Sequence, residues 1–406
     1  MERELPAATL VKPRPYLFRL VAAFGPAVTV SVAYMDPGNF AANLEAGAQF
    51  GFSLLWVLLA SNFCAIFLQI LSARLGMATG ENLPENCASR FGRRTNLLLW
   101  GIAEAGALAT NTAEFLGAAL GFAMLFHLPL WIGALLTLLL TLGLLHGEEN
   151  RHHRLQTATI CLVAVIGIAY LLEMIWAHPP WESVGSGLIK PSLPPSSAFV
   201  ALSMFGATVM PHAIYLHGEL VRSRGNSPVA HRRERRFTLI AMNIAFLINA
   251  SMVIVAATTF HTAAISPPGL QEAAVTLAPI LGPAAGIAFA TALLASGLSA
   301  SMVGTVAGQI VMTGFTGWRI PLWLRQLITC LPAVAILMIG ISPTTALVAS
   351  QVALSFVLPG AIIPLLLLLA HHRKGQLQLS TPMLIAGWFL CTAVIAANLL
   401  LLTTLH

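Results

Sequence analysis

Apolar residues run along the chain in long stretches, and short polar segments separate them. Eleven stretches are about as long as a membrane-crossing helix, which needs about 20 residues. They are predicted over 17–48, 52–75, 97–124, 128–146, 155–176, 197–220, 237–260, 274–313, 321–341, 344–370 and 382–404. Strands of a membrane barrel would be about half as long. The pattern therefore predicts an all-α polytopic membrane protein with about 11 transmembrane helices.

The composition also excludes a soluble protein. Of the 406 residues, 57% are hydrophobic and only 9% are charged, whereas ordinary soluble domains are about 25% charged. The longest loop between spans, 177–196, is too short to fold alone, so residues 1–406 are predicted to form one membrane domain. The polar first fifteen residues are expected to be a cytoplasmic tail and not a cleaved signal peptide.

The placement of basic residues predicts the orientation. They concentrate before the first span and in the loops after spans 2, 4, 6, 8 and 10, where Arg319 and Arg325 mark the loop between spans 8 and 9. The other loops hold Lys190 alone among the 21 basic residues. Because Lys and Arg gather on the cytoplasmic side, the N-terminus is predicted to be cytoplasmic, in a bacterial inner membrane. The basic run 231–236 is expected to face anionic lipid, and no nucleic-acid partner is expected.

Asp36 is the only aspartate of the chain, and it lies within the first apolar span. A charged side chain at this depth costs about 3 kcal/mol or more. Pro37 and Gly38 follow it, and both residue types disrupt helices. Non-helical backbone within a membrane has to line a cavity or be buried in protein. The carboxylate, the Asn39 amide and freed carbonyls such as that of Ala33 are therefore predicted to form a cation site.

Pro211 interrupts the sixth span in the same way, with Met210 before it and His212 after it. Because proline has no N–H, the carbonyl of Ala207 loses its usual donor. Two proline-broken helices in corresponding positions indicate inverted repeats with a binding site between them. The two predicted repeats and the added last helix cover about 17–176, about 197–370 and 382–404.

Met210 indicates the kind of cation. A methionine in an apolar helix usually packs against its neighbours, but one placed directly before a helix-breaking proline is a candidate ligand. A thioether favours softer metals and adds little to the binding of Mg²⁺ or Ca²⁺. The candidate ligands together therefore favour Mn²⁺, Fe²⁺, Co²⁺ or Cd²⁺, and they do not rank these ions. Gln351, in the tenth span, either completes the metal shell or bridges helices.

The third span carries a second polar stripe. Glu104, Asn111 and Glu114 share one face, at spacings of seven and three residues. Acids within a span are candidates for proton transfer, and His212 is another, because histidine titrates near neutral pH. Hydrogen bonding between helices is the alternative role for the two acids and the histidine. For His217, near the cytoplasmic end of the sixth span, hydrogen bonding is the favoured role.

The motifs DPGN at 36–39 and MPH at 210–212 are typical of one family. With the flanking runs FGPAVTVSVAYMDPGNFAANLEAGAQFG, TAEFLGAALG, MPHAIYLHG and LLASGLSAS, nearly the whole chain resembles the natural-resistance-associated macrophage protein (Nramp) family, in particular its bacterial proton-dependent manganese transporters. The resemblance implies the leucine-transporter fold and import of Mn²⁺ or Fe²⁺ with protons by alternating access. No cofactor beyond the transported ion is expected, and a monomer is the expected unit.

The resemblance also implies roles for individual residues. Those implied to bind the metal are Asp36, Asn39 and Met210, the carbonyls of Ala33 and Ala207 and, in some states, Gln351. Those implied to belong to the proton and polar network are His212, Glu114 and Glu104.

Two positions depart from the family pattern. Many bacterial members have an aspartate where this chain has Asn111, and asparagine cannot titrate. Many also have an arginine pair near the start of the ninth helix, where Arg325 is followed here by Gln326. Both positions lie on the implied proton exit route and not at the metal site. We therefore expect metal import to persist while proton coupling is weakened, or is rerouted through Asp36, His212 and Glu114.

Other functions fit the sequence less well. A sodium-coupled transporter of an organic solute on the same fold is the main alternative, but it would gain nothing from Met210. A channel would present rings of like groups from several subunits. The sequence contains no HExxH or GxSxG motif, so an enzyme is not expected.

Overall fold

The fold is described by a computed structural model that covers residues 16–145, 151–265, 269–371 and 379–404. Its side chains are described from residue 24 onward, except at 145, 151–156 and 404. The predicted tail at 1–15 and parts of the loops after spans 4 and 10 lie outside these residues. Within them, every regular element is a helix, which confirms the predicted all-α class.

Seventeen α-helices follow one another along the described chain. They are α1 (Tyr16–Val32), α2 (Pro37–Phe50), α3 (Leu55–Thr79), α4 (Leu83–Arg90), α5 (Arg93–Phe126), α6 (Leu130–Leu145), α7 (Arg151–Ala177), α8 (Trp181–Ile189), α9 (Ala198–Thr208), α10 (Pro211–Val221), α11 (Pro228–Ala256), α12 (Leu270–Leu281), α13 (Pro283–Thr316), α14 (Leu322–Ile339), α15 (Pro343–Val357), α16 (Pro359–His371) and α17 (Thr381–Thr404). Two 3₁₀ turns (Ala33–Met35 and Arg222–Arg224) and a π-helical turn (Ala257–His261) complete them.

The predicted spans correspond to these helices with one correction. Nine helical stretches in the described part of the chain are long and apolar enough to cross a membrane. The other two predicted spans are shorter elements, because the first is split into α1 and α2 and the fourth is α6. The predicted span 274–313 was wrong in its bounds. Gly282, with φ 102°, ends α12, and Pro283 begins the separate helix α13.

Both predicted helix breaks are present. After the 3₁₀ turn, Asp36 is extended (φ −78°, ψ 169°), and Pro37 occupies the first turn of α2. Between α9 and α10, Val209 and Met210 leave the helical conformation, and Pro211 begins α10. A proline in the first helical turn lacks only a hydrogen bond that this position would not make. The two prolines therefore start new helices here and do not merely bend old ones.

The helices α5 and α13 pack closely against the first break. A Cβ on Gly117 of α5 would lie 2.0 Å from Cβ of Pro37, so only glycine allows this approach. From α13, the hydroxyl of Ser296 donates a hydrogen bond to the carbonyl of Met35. A Cβ on Gly297 would lie 2.4 Å from a backbone atom of α5. These contacts hold the polar stripe of α5 beside Asp36.

Two arginine-rich loops lie at the same end of the helix bundle. Arg222, after α10, forms an ion pair with Glu85 of α4 at 3.0 Å. At this end a Cβ on Gly76 of α3 would lie 2.3 Å from the carbonyl oxygen of Gly218, so the two backbones are in contact. The predicted cytoplasmic loops after spans 2 and 6 therefore meet, as the alternation of basic residues requires.

Candidate functional site

Hydrogen bonds join the two helix breaks. Oδ1 of Asp36 accepts from the backbone N–H of Asn39 and from its side-chain amide, both at 2.8 Å. The same amide nitrogen donates to the carbonyl of Ala207 at 2.9 Å. Asp36, Asn39 and Ala207, which the sequence proposes separately, are thus brought together from positions 168 residues apart. The loose carbonyl of one broken helix and the capping carboxylate of the other thus accept hydrogen bonds from the same amide.

The carbonyls of the 3₁₀ turn are held by neighbouring helices. The Asn249 side chain of α11 donates a hydrogen bond to the carbonyl of Tyr34, and Ser296 of α13 donates to that of Met35. Ala33, whose carbonyl is a predicted ligand, begins the same turn and is fully buried. The turn therefore has a fixed shape that does not depend on an ion.

Gln351 lies between the two broken helices. A Cβ on Gly38 would lie 1.9 Å from its side-chain nitrogen, and a Cβ on Gly206 would lie 2.0 Å from its carbonyl oxygen. Its amide donates to Ser350 at 3.0 Å. The side chain thus lies beside the break at Asp36, and its hydrogen bond stays within α15. Both roles left open by the sequence remain predictions.

Several buried polar atoms at this junction have no hydrogen-bond partner among the described residues. They are Oδ2 of Asp36, Oδ1 of Asn39 and Oε1 of Gln351. Buried polar atoms are nearly always paired in proteins. Met210 is fully buried at the second break. No group of three or more His, Cys, Asp and Glu side chains that could hold a metal occurs in the described ranges. An ion here would therefore be held by a mixed set of oxygen and sulfur atoms.

A polar pocket leads toward this junction from the end opposite the arginine-rich loops. It has a volume of about 430 Å³ and is bordered by α2, α12 and α15. Glu45 and Glu272 line it, as do Ala41 and Val348, and Ala41 is its lining residue nearest in sequence to Asn39. Ala41 is two residues beyond Asn39, so the lining of the pocket comes within about 3 Å of helix length of the junction.

The α5 stripe lies on the other side of the first break. The side chains of Asn111 and Glu114 both lie over Gly304 of α13, where a Cβ would come within 2.4 Å of each. Glu114 is fully buried and near enough to Asp36 for the two carboxyl groups to interact electrostatically. Neither carboxyl oxygen of Glu114 has a hydrogen-bond partner among the described residues. The predicted shared face of Asn111 and Glu114 is thus present and directed at α13.

His212 extends this polar region from α10. Its Nδ1 lies 3.4 Å from the hydroxyl of Thr110, and its Nε2 has no partner among the described residues. The ring is 3% exposed. A buried ring nitrogen without a partner can take up or release a proton only when a donor, an acceptor or water reaches it.

Glu104 lies at the far end of the stripe and pairs with Arg325 at 2.6 Å. The sequence places Arg325 near the start of the ninth helix, and it lies in the first turn of α14. It is not a solvated charge of the adjoining loop, because this side chain is 1% exposed. It lies over Gly308, one turn of α13 beyond Gly304. The next residue, Gln326, is also buried and exchanges hydrogen bonds with Thr305 and Ser301. Both the oxygen and the nitrogen of the Gln326 side-chain amide thus have hydrogen-bond partners on α13.

A second polar chain escaped the sequence reasoning. The Gln69 side-chain amide donates to the hydroxyl of Tyr34 at 2.6 Å, and its oxygen lies 2.9 Å from Nδ1 of His217. Nε2 of His217 lies 3.3 Å from Glu234, which also pairs with Arg224. His217 therefore has the predicted interhelical role. Gln69 and Glu234 lie in the apolar part of α3 and in the basic run of α11, and neither surrounding pattern distinguishes them.

The broken helices, the buried polar junction and the multi-pass helical fold define a membrane transporter. The chain belongs to the family described as natural resistance-associated macrophage protein-like (Nramp), whose sequence model matches residues 27–404.

Curated relatives cover almost the full chain. A divalent metal cation transporter MntH of Deinococcus radiodurans is 46% identical over 388 residues, which are 94% of this chain and 89% of the relative. One of Caldanaerobacter subterraneus subsp. tengcongensis is 45% identical over 394 residues, which are 95% and 94% of the two chains.

Solved structures give the same fold. The Eremococcus coleocola manganese transporter, in complex with an aromatic bis-isothiourea substituted compound, superposes with a TM-score of 0.83 at 29% identity, covering 96% of this chain and 88% of the other. Mhp1, a nucleobase-cation-symport-1 family transporter, superposes with a TM-score of 0.63 at 14% identity, covering 93% and 90%. The second likeness concerns the fold alone. The fold is the predicted leucine-transporter fold.

Proposed function

We propose that this protein imports divalent transition-metal ions, Mn²⁺ or Fe²⁺ with Co²⁺ and Cd²⁺ as further substrates, across the bacterial inner membrane by alternating access. The family and the names of its relatives support divalent metal transport. The observation that carries the site assignment is the set of buried, unpartnered oxygen atoms of Asp36, Asn39 and Gln351 where the two helix breaks meet.

Each group of the site has a distinct task in this proposal. Asp36 supplies the negative charge that compensates for the loss of water around the ion. Asn39 and the carbonyls of Ala33 and Ala207 supply neutral oxygen ligands. Met210 supplies the sulfur atom, which favours softer metals over Mg²⁺ and Ca²⁺. When the ion binds, Asn39 turns its oxygen toward it, and the bond from its amide to Ala207 is replaced.

The transport cycle follows from the position of the site between two predicted repeats, 17–176 and 197–370. The ion enters through the pocket beside Glu45 and Glu272 and loses most of its water at the junction. An inside-negative potential favours entry of a cation by about 2.3 kcal/mol per charge per 100 mV. The bundle with the broken helices then moves against the other helices and opens the site toward the arginine-rich end.

Proton co-transport is part of the proposal in a weakened form. Asp36 and Glu114 are near enough to interact electrostatically, and His212 lies 3.4 Å from Thr110 of α5. The Glu104–Arg325 pair lies further along α5. Asn111, between the two acids in sequence, cannot bind and release a proton at neutral pH. Gln326 cannot supply a second positive charge. Protons are therefore expected to pass through Asp36, His212 and Glu114 without a titrating group at position 111.

The test is uptake of Mn²⁺ into proteoliposomes with Mg²⁺ and Ca²⁺ in excess and a pH dye inside. Wild-type protein is expected to take up Mn²⁺ saturably and to resist both competitors. Met210→Ala is expected to keep transport and to lose this resistance. Met204→Ala is the matched control, because Met204 is equally buried in α9 but lies away from the break.

The outcomes separate the competing assignments. No Mn²⁺ uptake by the wild type, or equal inhibition by Mg²⁺ with and without Met210, would contradict the metal site. If uptake of another solute required external Na⁺, the sodium-coupled alternative would be favoured instead. Loss of selectivity in both methionine variants would indicate a general packing effect.

A further inference from the structure

Glu173 is a buried acid that takes no part in the site described above. It lies in α7, four residues before the end of this helix, and it is fully buried. Neither of its carboxyl oxygens has a hydrogen-bond partner among the described residues. An acid within an apolar span is a functional candidate.

Glu173 lines a small cavity between α2, α7, α11, the π-helical turn after α11, α12 and α13. The cavity offers about 10 Å³ to the centre of a water molecule, which is room for about one water. It is lined by Phe40, Leu44, Tyr170, Glu173, Met252, Val255, Ala256, Phe260, Leu277 and Phe289. Apart from Glu173 itself, Tyr170 is the only titratable residue in this lining, and the other four helices contribute apolar side chains alone.

The chemistry of this cavity suits a proton and excludes a metal ion. The lining offers a single carboxyl, one phenol and one thioether, so a divalent cation would lack the several hard oxygen ligands, or the His and Cys ligands, that protein metal sites supply. An ionised carboxylate without donors is costly in an apolar enclosure. A protonated carboxyl with a single water is not, because its O–H can donate to that water. The closed cavity therefore accommodates the acid form.

The cavity is closed by a residue that adjoins the metal site. Phe40 follows Asn39 in α2, and its ring lies 5.4 Å from the ring of Tyr170 and 6.0 Å from that of Phe289, both edge-on. Tyr170 also borders a groove that reaches His178 after the end of α7. Movement of α2 would separate these rings and admit water from that groove.

We propose that Glu173 is a proton-binding site whose occupancy is linked to the position of α2. The inference rests on the proposed function, because α2 belongs to the bundle that moves during transport. With the Phe40 ring of α2 against the Tyr170 ring of α7, the carboxyl is protonated. Ionisation of Glu173 requires water and therefore favours the displaced position of α2. Proton binding at this site thus compensates for the titrating group that position 111 lacks.

The main test compares wild type with Glu173→Gln, which imitates the protonated acid at every pH. One proton changes an equilibrium by about tenfold per pH unit at most. Between about pH 6 and about pH 8 we expect the wild-type Mn²⁺ uptake rate to change about threefold more than that of E173Q. The pH dependence that remains in E173Q comes from Asp36, His212 and Glu114. Equal Mn²⁺ binding by both proteins, measured separately, would show that the metal site is intact.

A spectroscopic measurement tests the proton directly. Infrared spectra of metal-free wild type at neutral pH are expected to contain the carbonyl stretch of a protonated carboxyl that E173Q lacks. Glu182→Gln is the matched control, because Glu182 is an exposed acid at the start of the next helix, α8. Glu173→Leu, which suits the apolar lining, replaces E173Q if the buried amide prevents folding.

Failure of this proposal can be distinguished from failure of the proposed function. The same pH profile in wild type and E173Q, or an unchanged carboxyl band in E173Q, would overturn the proposal. If wild type transports no metal, the proposed function fails, while the infrared comparison still decides whether Glu173 holds a proton.

Discussion

The side-chain amide of Asn39 donates a hydrogen bond to the carbonyl of Ala207 across 2.9 Å, and it thereby ties the break of one helix to the break of another. The same amide holds Asp36 at 2.8 Å. A single side chain thus connects the carboxylate, the loose carbonyl and both ends of the junction. Its removal is expected to affect transport more than stability.

Asn39→Ala removes these two bonds and one proposed ligand. Hydrogen bonds to charged groups are worth about 1.5–3 kcal/mol, so we expect Mn²⁺ uptake to fall at least about tenfold. Asn243→Ala is the control, since the exposed Asn243 bonds only within α11 and to Asn62 at 3.4 Å. An equal loss of uptake in both variants would contradict the assignment.

The packing of Gln351 predicts that two glycine substitutions respond differently when the Gln351 side chain is shortened. In Gly206→Ala the new Cβ meets the backbone of Gln351 at 2.0 Å, and in Gly38→Ala it meets the Gln351 side chain at 1.9 Å. Both are expected to destabilise the protein by about 1–3 kcal/mol. Adding Gln351→Ala is expected to restore thermal stability in the Gly38→Ala protein alone.

The control for this pair is Gly143→Ala in α6, where a Cβ meets nothing within 4 Å. Its melting temperature in detergent is expected to match that of wild type. If Gln351→Ala restored the thermal stability of both glycine variants, Gln351 would not lie as described.

Asn111→Asp restores a titrating group beside Glu114. Both side chains lie over Gly304, so the new acid would join the polar region around Asp36. We expect more protons to enter per metal ion than in wild type, measured with the internal pH dye. If proton influx already follows metal influx in wild type and does not change in the variant, the prediction of weakened proton coupling is wrong.

The ion pair between Glu104 and Arg325 predicts a stability effect. Arg325 is 1% exposed and Glu104 is its partner at 2.6 Å. Glu104→Gln leaves a buried charge without compensation and is expected to cost up to about 3 kcal/mol. The double variant with Arg325→Met removes the charge as well, and it is expected to regain most of the lost thermal stability. A double variant that is no more thermally stable than Glu104→Gln would contradict this interpretation of the ion pair.

The local features of the site were predictable because they depend on short stretches of sequence. Pro37 and Pro211 lack an N–H wherever they lie, so each break follows from a single residue. Asp36 attracts attention because a charge within an apolar span is costly in any fold. The length of the spans and the alternation of basic loops gave the helix count, although Gly282 and Pro283 divided one predicted span.

The sequence by itself determined that the chain crosses a membrane repeatedly, where two helices break, and which side chains near the breaks have ligand chemistry. Only the tertiary structure decided that Asn39 reaches Ala207, that Arg325 is buried against Glu104, and that Glu173 borders a closed cavity. The physical reason is the range of the interactions. Helix formation and helix breaking depend on neighbours within one turn, whereas burial and pairing depend on helices that are far apart in the chain.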